Sequence, residues 1–465
     1  MTERFVGRSA ELRVLAEAYD HRGSGFIPIY GRRRVGKSEL ILRFLRERPG
    51  IYFLGKQASA ALQLREFMRE ASVILGEPLL ATAAVDGWKT ALTLISDRWA
   101  RPEKLLLIFD EFQWTAWASP ELPSVLQDLW DRRWRPGGAT LLILCGSYVG
   151  FMEREVLGRK SPLFGRRTAQ ILLRPFDYRE AALFHPSYSL VDRARAYFIC
   201  GGVPWYLRRF DASRSVEANV MVELLPEHAP LRHEPEFLLR EELREVESYY
   251  AVLLAIAGGR ATPREMSPAT GIGERSLHYY LQQLVELGYV RRRYPLAEGP
   301  APARHVRFAL EDPLLRFWFR FVFPNMSYIA QMGAERAWRD RIRPDLDAYF
   351  GACFEGLCRE ALPRLYAREG LTSAFEVGEY WDRNCQIDVV GLRQDGWTDL
   401  GECRWGAVRG RRQVREELEG KVRLYPNRRN ATICRRIFTR LPVGGERLPT
   451  GEPDVRWHDL EDLYR

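Results

Sequence analysis

Apolar residues in the first third of the chain gather into short continuous runs instead of alternating with polar ones. Phe26-Ile27-Pro28-Ile29-Tyr30, Leu105-Leu106-Leu107-Ile108-Phe109 and Leu141-Leu142-Ile143-Leu144-Cys145 carry no charge at all. Runs of strand length without alternation are strands buried on both faces, as in a parallel sheet covered by helices. Leu40, Ile41, Phe44 and Leu45 recur at helical spacing after the first run. Strands alternating with such helices predict a doubly wound α/β domain, and a further short strand is expected over Gln170 to Leu173.

Later segments change rhythm. Tyr249 to Gly259 reads as an apolar helix, and Leu277, Tyr280, Leu281, Leu284 and Leu287 form a second helical stripe. Two short strands follow, Val290 to Tyr294 and Arg304 to Phe308, around a Pro/Gly-rich tip. Helix, turn, helix and hairpin in that order predict a winged helix. The stretch Leu310 to Phe321, with Phe317, Trp318, Phe319 and Phe321, is expected to be a buried joining helix, not a platform for stacked bases. Beyond it the pattern predicts a helix (Leu346 to Arg368), three strands (Phe375 to Tyr380, Gln386 to Leu392, Trp397 to Cys403), a basic helix (Arg409 to Leu424) and a strand near Thr432 to Phe438.

With 465 residues the chain exceeds one hydrophobic core, so several domains are expected. A net charge of +9 permits a polyanionic partner such as DNA without requiring one. The seven cysteines form no C-x-x-C pair, and several lie inside apolar runs, as reduced core cysteines do. No apolar run spans a membrane, and Met-Thr-Glu-Arg-Phe-Val-Gly-Arg does not read as a signal sequence, so a cytoplasmic location is expected.

Gly31-Arg32-Arg33-Arg34-Val35-Gly36-Lys37-Ser38 fits the phosphate-binding pattern G-x-x-x-x-G-K-[ST], with a strand before it and a helix after it. Its backbone N–H groups would cradle phosphates, Lys37 would reach the β- and γ-phosphates, and Ser38 would ligate Mg²⁺. The chain has 70 Lys+Arg but only six lysines, so a lysine kept at position 37 is informative. A compact ammonium fits between phosphates where a planar guanidinium does not. Asp110 and Glu111 close the second apolar run, at the strand end where an α/β sheet presents its ligand site. There Asp110 would hold Mg²⁺, and Glu111 would polarise the attacking water. Ser147, just past the third run, would contact the γ-phosphate or that water, and Arg166 would sense the γ-phosphate in cis or from another subunit.

Six motifs in order then resemble the archaeal-type ATPases, a branch of the AAA+ and STAND P-loop ATPases. Phe5-Val6-Gly7-Arg8-Ser9-Ala10-Glu11 is similar to their opening motif, Gly31 to Ser38 to their Walker A, and Phe109-Asp110-Glu111-Phe112-Gln113 to their Walker B. Cys145-Gly146-Ser147 resembles their sensor 1, Leu163-Phe164-Gly165-Arg166 their arginine-bearing segment, and Cys200-Gly201-Gly202-Val203-Pro204 the turn in their helical lid. The resemblance implies a five-stranded parallel sheet in the order 5-1-4-3-2, a lid that brings Pro204 to the nucleotide, and ATP with Mg²⁺ as ligands.

The last segment resembles the PD-(D/E)XK nuclease core, with Asp388 and Glu402 as a carboxylate pair for Mg²⁺ and Glu355 on the preceding helix. The family's closing tripeptide is Glu-x-Lys, whereas this chain has Glu402-Cys403-Arg404. A guanidinium at Arg404 has different reach and geometry, so weak or lost cleavage is expected there.

The chain is therefore expected to hold a P-loop ATPase core (1–180), a helical lid (181–240), a winged helix (241–310), an aromatic linker (311–345) and a nuclease-like α/β domain (346–465). ATP hydrolysis would govern engagement of DNA or a protein partner, in a monomer or a homo-oligomer. The alternatives are a non-catalytic nucleotide-gated adaptor and an active ATP-linked nuclease.

Overall fold

The computed structural model describes residues 5–243, 246–297, 306–408, 410–443 and 455–465. Met1 to Arg4, Arg304 and His305 of the second hairpin strand, and Arg409 of the basic helix lie outside the described residues. The chain divides into two compact units, Met1–Phe176 with Val203–Trp205, and Asp177–Gly202 with Tyr206–Arg465.

The first unit is built on five parallel strands: β1 (Gly25–Tyr30), β2 (Gly50–Leu54), β3 (Leu105–Asp110), β4 (Thr140–Gly146) and β5 (Ile171–Leu172). Their order is β2-β3-β4-β1-β5, the expected 5-1-4-3-2 read from the other edge. Every residue of β1, β3 and β4 is buried, because helices cover both faces. Alternate side chains serve the two faces. Phe26, Leu105, Leu107 and Phe109 join one apolar cluster, while Ile27, Ile29, Leu106 and Ile108 join the other. Burial of each such side chain contributes roughly 1.5–3 kcal/mol, which is why these strands tolerate no internal charge.

The second unit begins with helices, among them Tyr178–Ala182, which Asp177 and Glu180 close with a reciprocal capping box. Helices Val246–Ala257, Pro263–Thr270 and Glu274–Glu286 follow, then the antiparallel pair β6 (Val290–Arg293) and β7 (Arg307–Leu310). The aromatic stretch is helical from Pro313 and buried, with Trp318 and Phe319 fully inaccessible. The 26-residue helix Arg343–Arg368 packs on a five-stranded mixed sheet of β8 (Phe375–Trp381), β9 (Gln386–Arg393), β10 (Trp397–Arg404), β11 (Thr432–Thr439) and β12 (Val455–His458). β8, β9 and β10 are antiparallel neighbours, whereas β10, β11 and β12 run parallel. Helix Arg411–Leu424 connects β10 to β11. Among the described residues no helix is long and apolar enough to cross a membrane.

Candidate functional site

The loop from β1 into helix Lys37–Leu45 owes its shape to its backbone. Arg34 and Gly36 take left-handed conformations, φ 68° and φ 91°. Gly31 admits no side chain, because a Cβ there would stand 2.2 Å from the Leu173 carbonyl oxygen. Gly36 caps the helix without a side-chain hydrogen bond, so the first helical N–H groups can serve an anion. Arg8 braces the loop from behind. Its guanidinium donates to the carbonyls of Val35 (3.1 Å) and Arg174 (2.7 Å) and stacks 3.9 Å from the Phe176 ring.

Lys37 is buried and bends over this loop, donating to the carbonyls of Gly31 at 2.9 Å and Arg32 at 3.0 Å. Burial holds its ammonium below the usual lysine range, and the carboxylates of Glu111 and Asp110 oppose that shift. Asp110, fully buried at the end of β3, accepts a 2.7 Å hydrogen bond from the Tyr52 phenol and a 2.9 Å bond from the Glu111 N–H. Burial, then Asp110, raises the Tyr52 phenol well above the ordinary range, and the neighbouring Ser38 hydroxyl opposes that shift. One phenol thus stands beside both Ser38 and Asp110. Hydroxyl and carboxylate oxygens are the hard donors Mg²⁺ takes, so these residues fit that ion.

Glu111 sits at φ 49°, a left-handed conformation at the turn from β3 into helix Phe112–Ala118. Such a conformation costs a non-glycine residue about 1–3 kcal/mol and is held only by its surroundings. Ser147 donates to Glu111 Oε2 at 2.6 Å, and the Gln113 amide donates to the same oxygen. Pro204 and Trp205 belong to this unit as well. The Pro204 ring lies 3.8 Å from where a Cβ on Gly36 would stand, and the Arg34 guanidinium lies 4.3 Å from the Trp205 ring.

Arg166 is placed differently from these groups. It makes a bidentate pair with Asp131 (2.9 and 2.6 Å) and donates to the carbonyls of Pro162 and Phe164. None of these bonds reaches the phosphate-binding loop.

A second cluster lies in the C-terminal sheet. Val389 pairs with Gly401, so Asp388 and Glu402 follow side by side on β9 and β10. Both are buried, and the Cys403 N–H donates to Asp388 Oδ2 at 3.0 Å. Burial, then the Asp388 carboxylate, raises Glu355 to about 7 and pushes Glu402 upward too. Arg404 stands 2.6 Å from Glu402 Oε1 and also pairs with Glu417. An ammonium from another element reaches the same carboxylate: Lys421, on helix Arg411–Leu424, donates to Glu402 Oε2 at 2.5 Å. Among the described residues no group of three or more His, Cys, Asp or Glu side chains is arranged to hold a metal ion. Two carboxylates suit Mg²⁺, which takes one or two and fills its shell with water and phosphate.

On helix Glu274–Glu286, Arg275, Ser276 and His278 are exposed. The neighbouring strand arginines are engaged instead, Arg291 with Glu311, Arg292 with Gln282 and Arg293 with Glu379.

Four residues that touch the candidate site residues escaped the sequence reading. Tyr52 is a hydroxyl inside an apolar strand, Gln113 and Arg8 sit in motifs without an obvious chemical role, and Lys421 is one of only six lysines. That scarcity was the usable signal for Lys421.

Residues 5–210 match the family of ATPase domains found predominantly in Archaea, and residues 318–416 match a family of archaeal and bacterial proteins of unknown function. An uncharacterised protein of Methanocaldococcus jannaschii is 29% identical over 424 residues, 90% of this chain and 92% of that one. Among solved structures, a Walker-type ATPase of Pyrococcus abyssi is 20% identical, covering 68% of this chain and 96% of its own, with a TM-score of 0.49. The ORC2 protein of Aeropyrum pernix, in ADPNP–ADP complexes, is 16% identical, covering 71% of this chain and 97% of its own, with a TM-score of 0.44. With its parallel sheet, phosphate-binding loop and paired acids, the N-terminal part of this chain is an archaeal-type ATPase domain, joined to a C-terminal domain of the second family.

Proposed function

We propose that the chain binds ATP with Mg²⁺, hydrolyses it, and uses the nucleotide state to govern engagement of DNA by its C-terminal unit. The carrying observation is the grouping of Lys37, at the start of the helix after β1, with Asp110, Glu111 and Ser147 at the ends of the adjacent strands β3 and β4, with Glu111 held by hydrogen bonds. Lys37 and the loop N–H groups would bind the phosphates, Ser38 and Asp110 would hold Mg²⁺, and Glu111 would take the proton of the attacking water. Mg²⁺ neutralises phosphate charge when bound.

Support for coupling comes from Val203–Trp205, which packs with the loop although the residues before and after it belong to the other unit. A phosphate-dependent shift of the loop would pull on both flanking segments. Helices Pro263–Thr270 and Glu274–Glu286 with β6 and β7 would form a winged helix that meets DNA phosphates through Arg275. ATPase assays with and without DNA test the proposal, and a rate indifferent to DNA counts against coupling.

A second reading, an ATP-linked nuclease, is favoured by the Lys421–Glu402 contact. Lys421 supplies the compact charge that Arg404 cannot.

A further inference from the structure

We infer that Gln113 is a positioning residue for ATP hydrolysis: its amide pins one oxygen of Glu111 and leaves the other to act on the attacking water. This rests on the reading of residues 5–210 as an ATP hydrolase.

The Gln113 side chain is buried, and its amide nitrogen carries two N–H groups. One goes to Glu111 Oε2, and the other lies 3.3 Å from the Ser147 hydroxyl oxygen. That hydroxyl donates to the same Glu111 Oε2 at 2.6 Å, which closes a triangle. Both donors converge on one carboxylate oxygen. Glu111 Oε1 accepts no hydrogen bond from the described residues, so it alone is left for a proton from water.

The amide orientation follows from charge. Turning it over would set its carbonyl oxygen against the carboxylate. As placed, Gln113 Oε1 is buried without a hydrogen-bond partner. An unsatisfied buried acceptor destabilises the fold, and an apolar side chain at this position would avoid that loss. Gly146 makes room for this oxygen, which lies 2.9 Å from where a Cβ at that position would stand. A carboxylate free to turn offers water either oxygen in many orientations, whereas a pinned one offers one oxygen in a fixed direction. Fixing the reacting geometry in this way is a kinetic gain that binding does not report.

The test is single-turnover ATP hydrolysis by the full chain carrying Gln113→Leu, with Gln113→Met as a second variant. Affinity for a fluorescent ATP analogue and thermal melting are measured alongside. Hydrolysis should slow on the order of 10²-fold, the cost of misplacing a reacting group, while analogue affinity stays unchanged. In a Glu111→Gln background, Gln113→Leu should add no further loss, because the group it positions is already gone. A side chain that merely packs the interior would subtract the same factor in both backgrounds. Native turnover in both variants, or a loss that is additive with Glu111→Gln, overturns the assignment. A native chain that binds ATP but never hydrolyses it removes the underlying reading, and the assignment with it.

Discussion

The Tyr52 phenol donates a 2.7 Å hydrogen bond to Asp110 and stands beside Ser38, the other residue that suits Mg²⁺. The tie runs between adjacent strands, with β2 paired parallel to β3. Outer partners of this kind fix a ligand's orientation. Tyr52→Phe should raise the Mg²⁺ concentration needed for half-maximal hydrolysis by about 10–100-fold. Nucleotide binding in the presence of a chelator should not change. An unaltered Mg²⁺ requirement would show that Asp110 needs no such brace.

Arg166 and Asp131 form a partly exposed pair, and such pairs are worth only about 0–1 kcal/mol, so the guanidinium is readily released. A sensor of the γ-phosphate must leave Asp131 to act. Asp131→Ala should then preserve hydrolysis, whereas Arg166→Ala should slow it on the order of 10³-fold. Equal small losses in the two variants would make Arg166 a brace for the Pro162–Phe164 turn. The comparison needs only steady-state rates and melting curves.

On the middle segment, exposure separates the arginines. Arg275 is exposed, while Arg292 is engaged by Gln282 and Arg291 by Glu311. Arg275→Glu should weaken DNA binding and reduce the slope of log K against log salt by about one. Arg292→Glu should change that slope less. The reverse order, read from salt titrations, would place the DNA on the hairpin strands.

At the C-terminal cluster, Lys421 and Asp388 give a paired test of phosphodiester cleavage. Mg²⁺- or Mn²⁺-dependent nicking of plasmid DNA by the native chain should disappear in both Lys421→Met and Asp388→Ala. Divalent-ion binding, followed by calorimetry, should be lost in Asp388→Ala and kept in Lys421→Met, which removes a cation. Cleavage that survives Lys421→Met would return the question to Arg404, and no native cleavage on DNA or RNA would leave a binding scaffold.

The sequence disclosed what local pattern can carry. Unbroken apolar runs marked β1, β3 and β4, because strands buried on both faces leave no room for charge. The spacing from Gly31 to Ser38 marked the loop, since backbone geometry and one ammonium define it. Contacts between distant segments were not legible. Nothing near Asp110 points to Tyr52, which lies 58 positions away, and nothing near Glu402 points to Lys421, 19 positions on. These pairs form only when strand order brings β2 beside β3 and folds helix Arg411–Leu424 onto β10. The pairing of Arg166 with Asp131, 35 positions apart, was hidden for the same reason.

Glu111 is the sharpest probe of ATP turnover at the loop of Gly31 to Ser38. A carboxamide at position 111 keeps the shape but cannot take a proton, whereas an alanine at position 37 removes the ammonium proposed to meet the phosphates. The most direct measurement is single-turnover hydrolysis of radiolabelled ATP, with filter binding of the same nucleotide, for the native chain, Glu111→Gln and Lys37→Ala. The native chain should bind and hydrolyse, Glu111→Gln should bind and keep only a slow residual hydrolysis, and Lys37→Ala should fail to bind tightly. Hydrolysis by Glu111→Gln at the native rate would contradict the role given to Glu111, and tight ATP binding by Lys37→Ala would contradict the site itself.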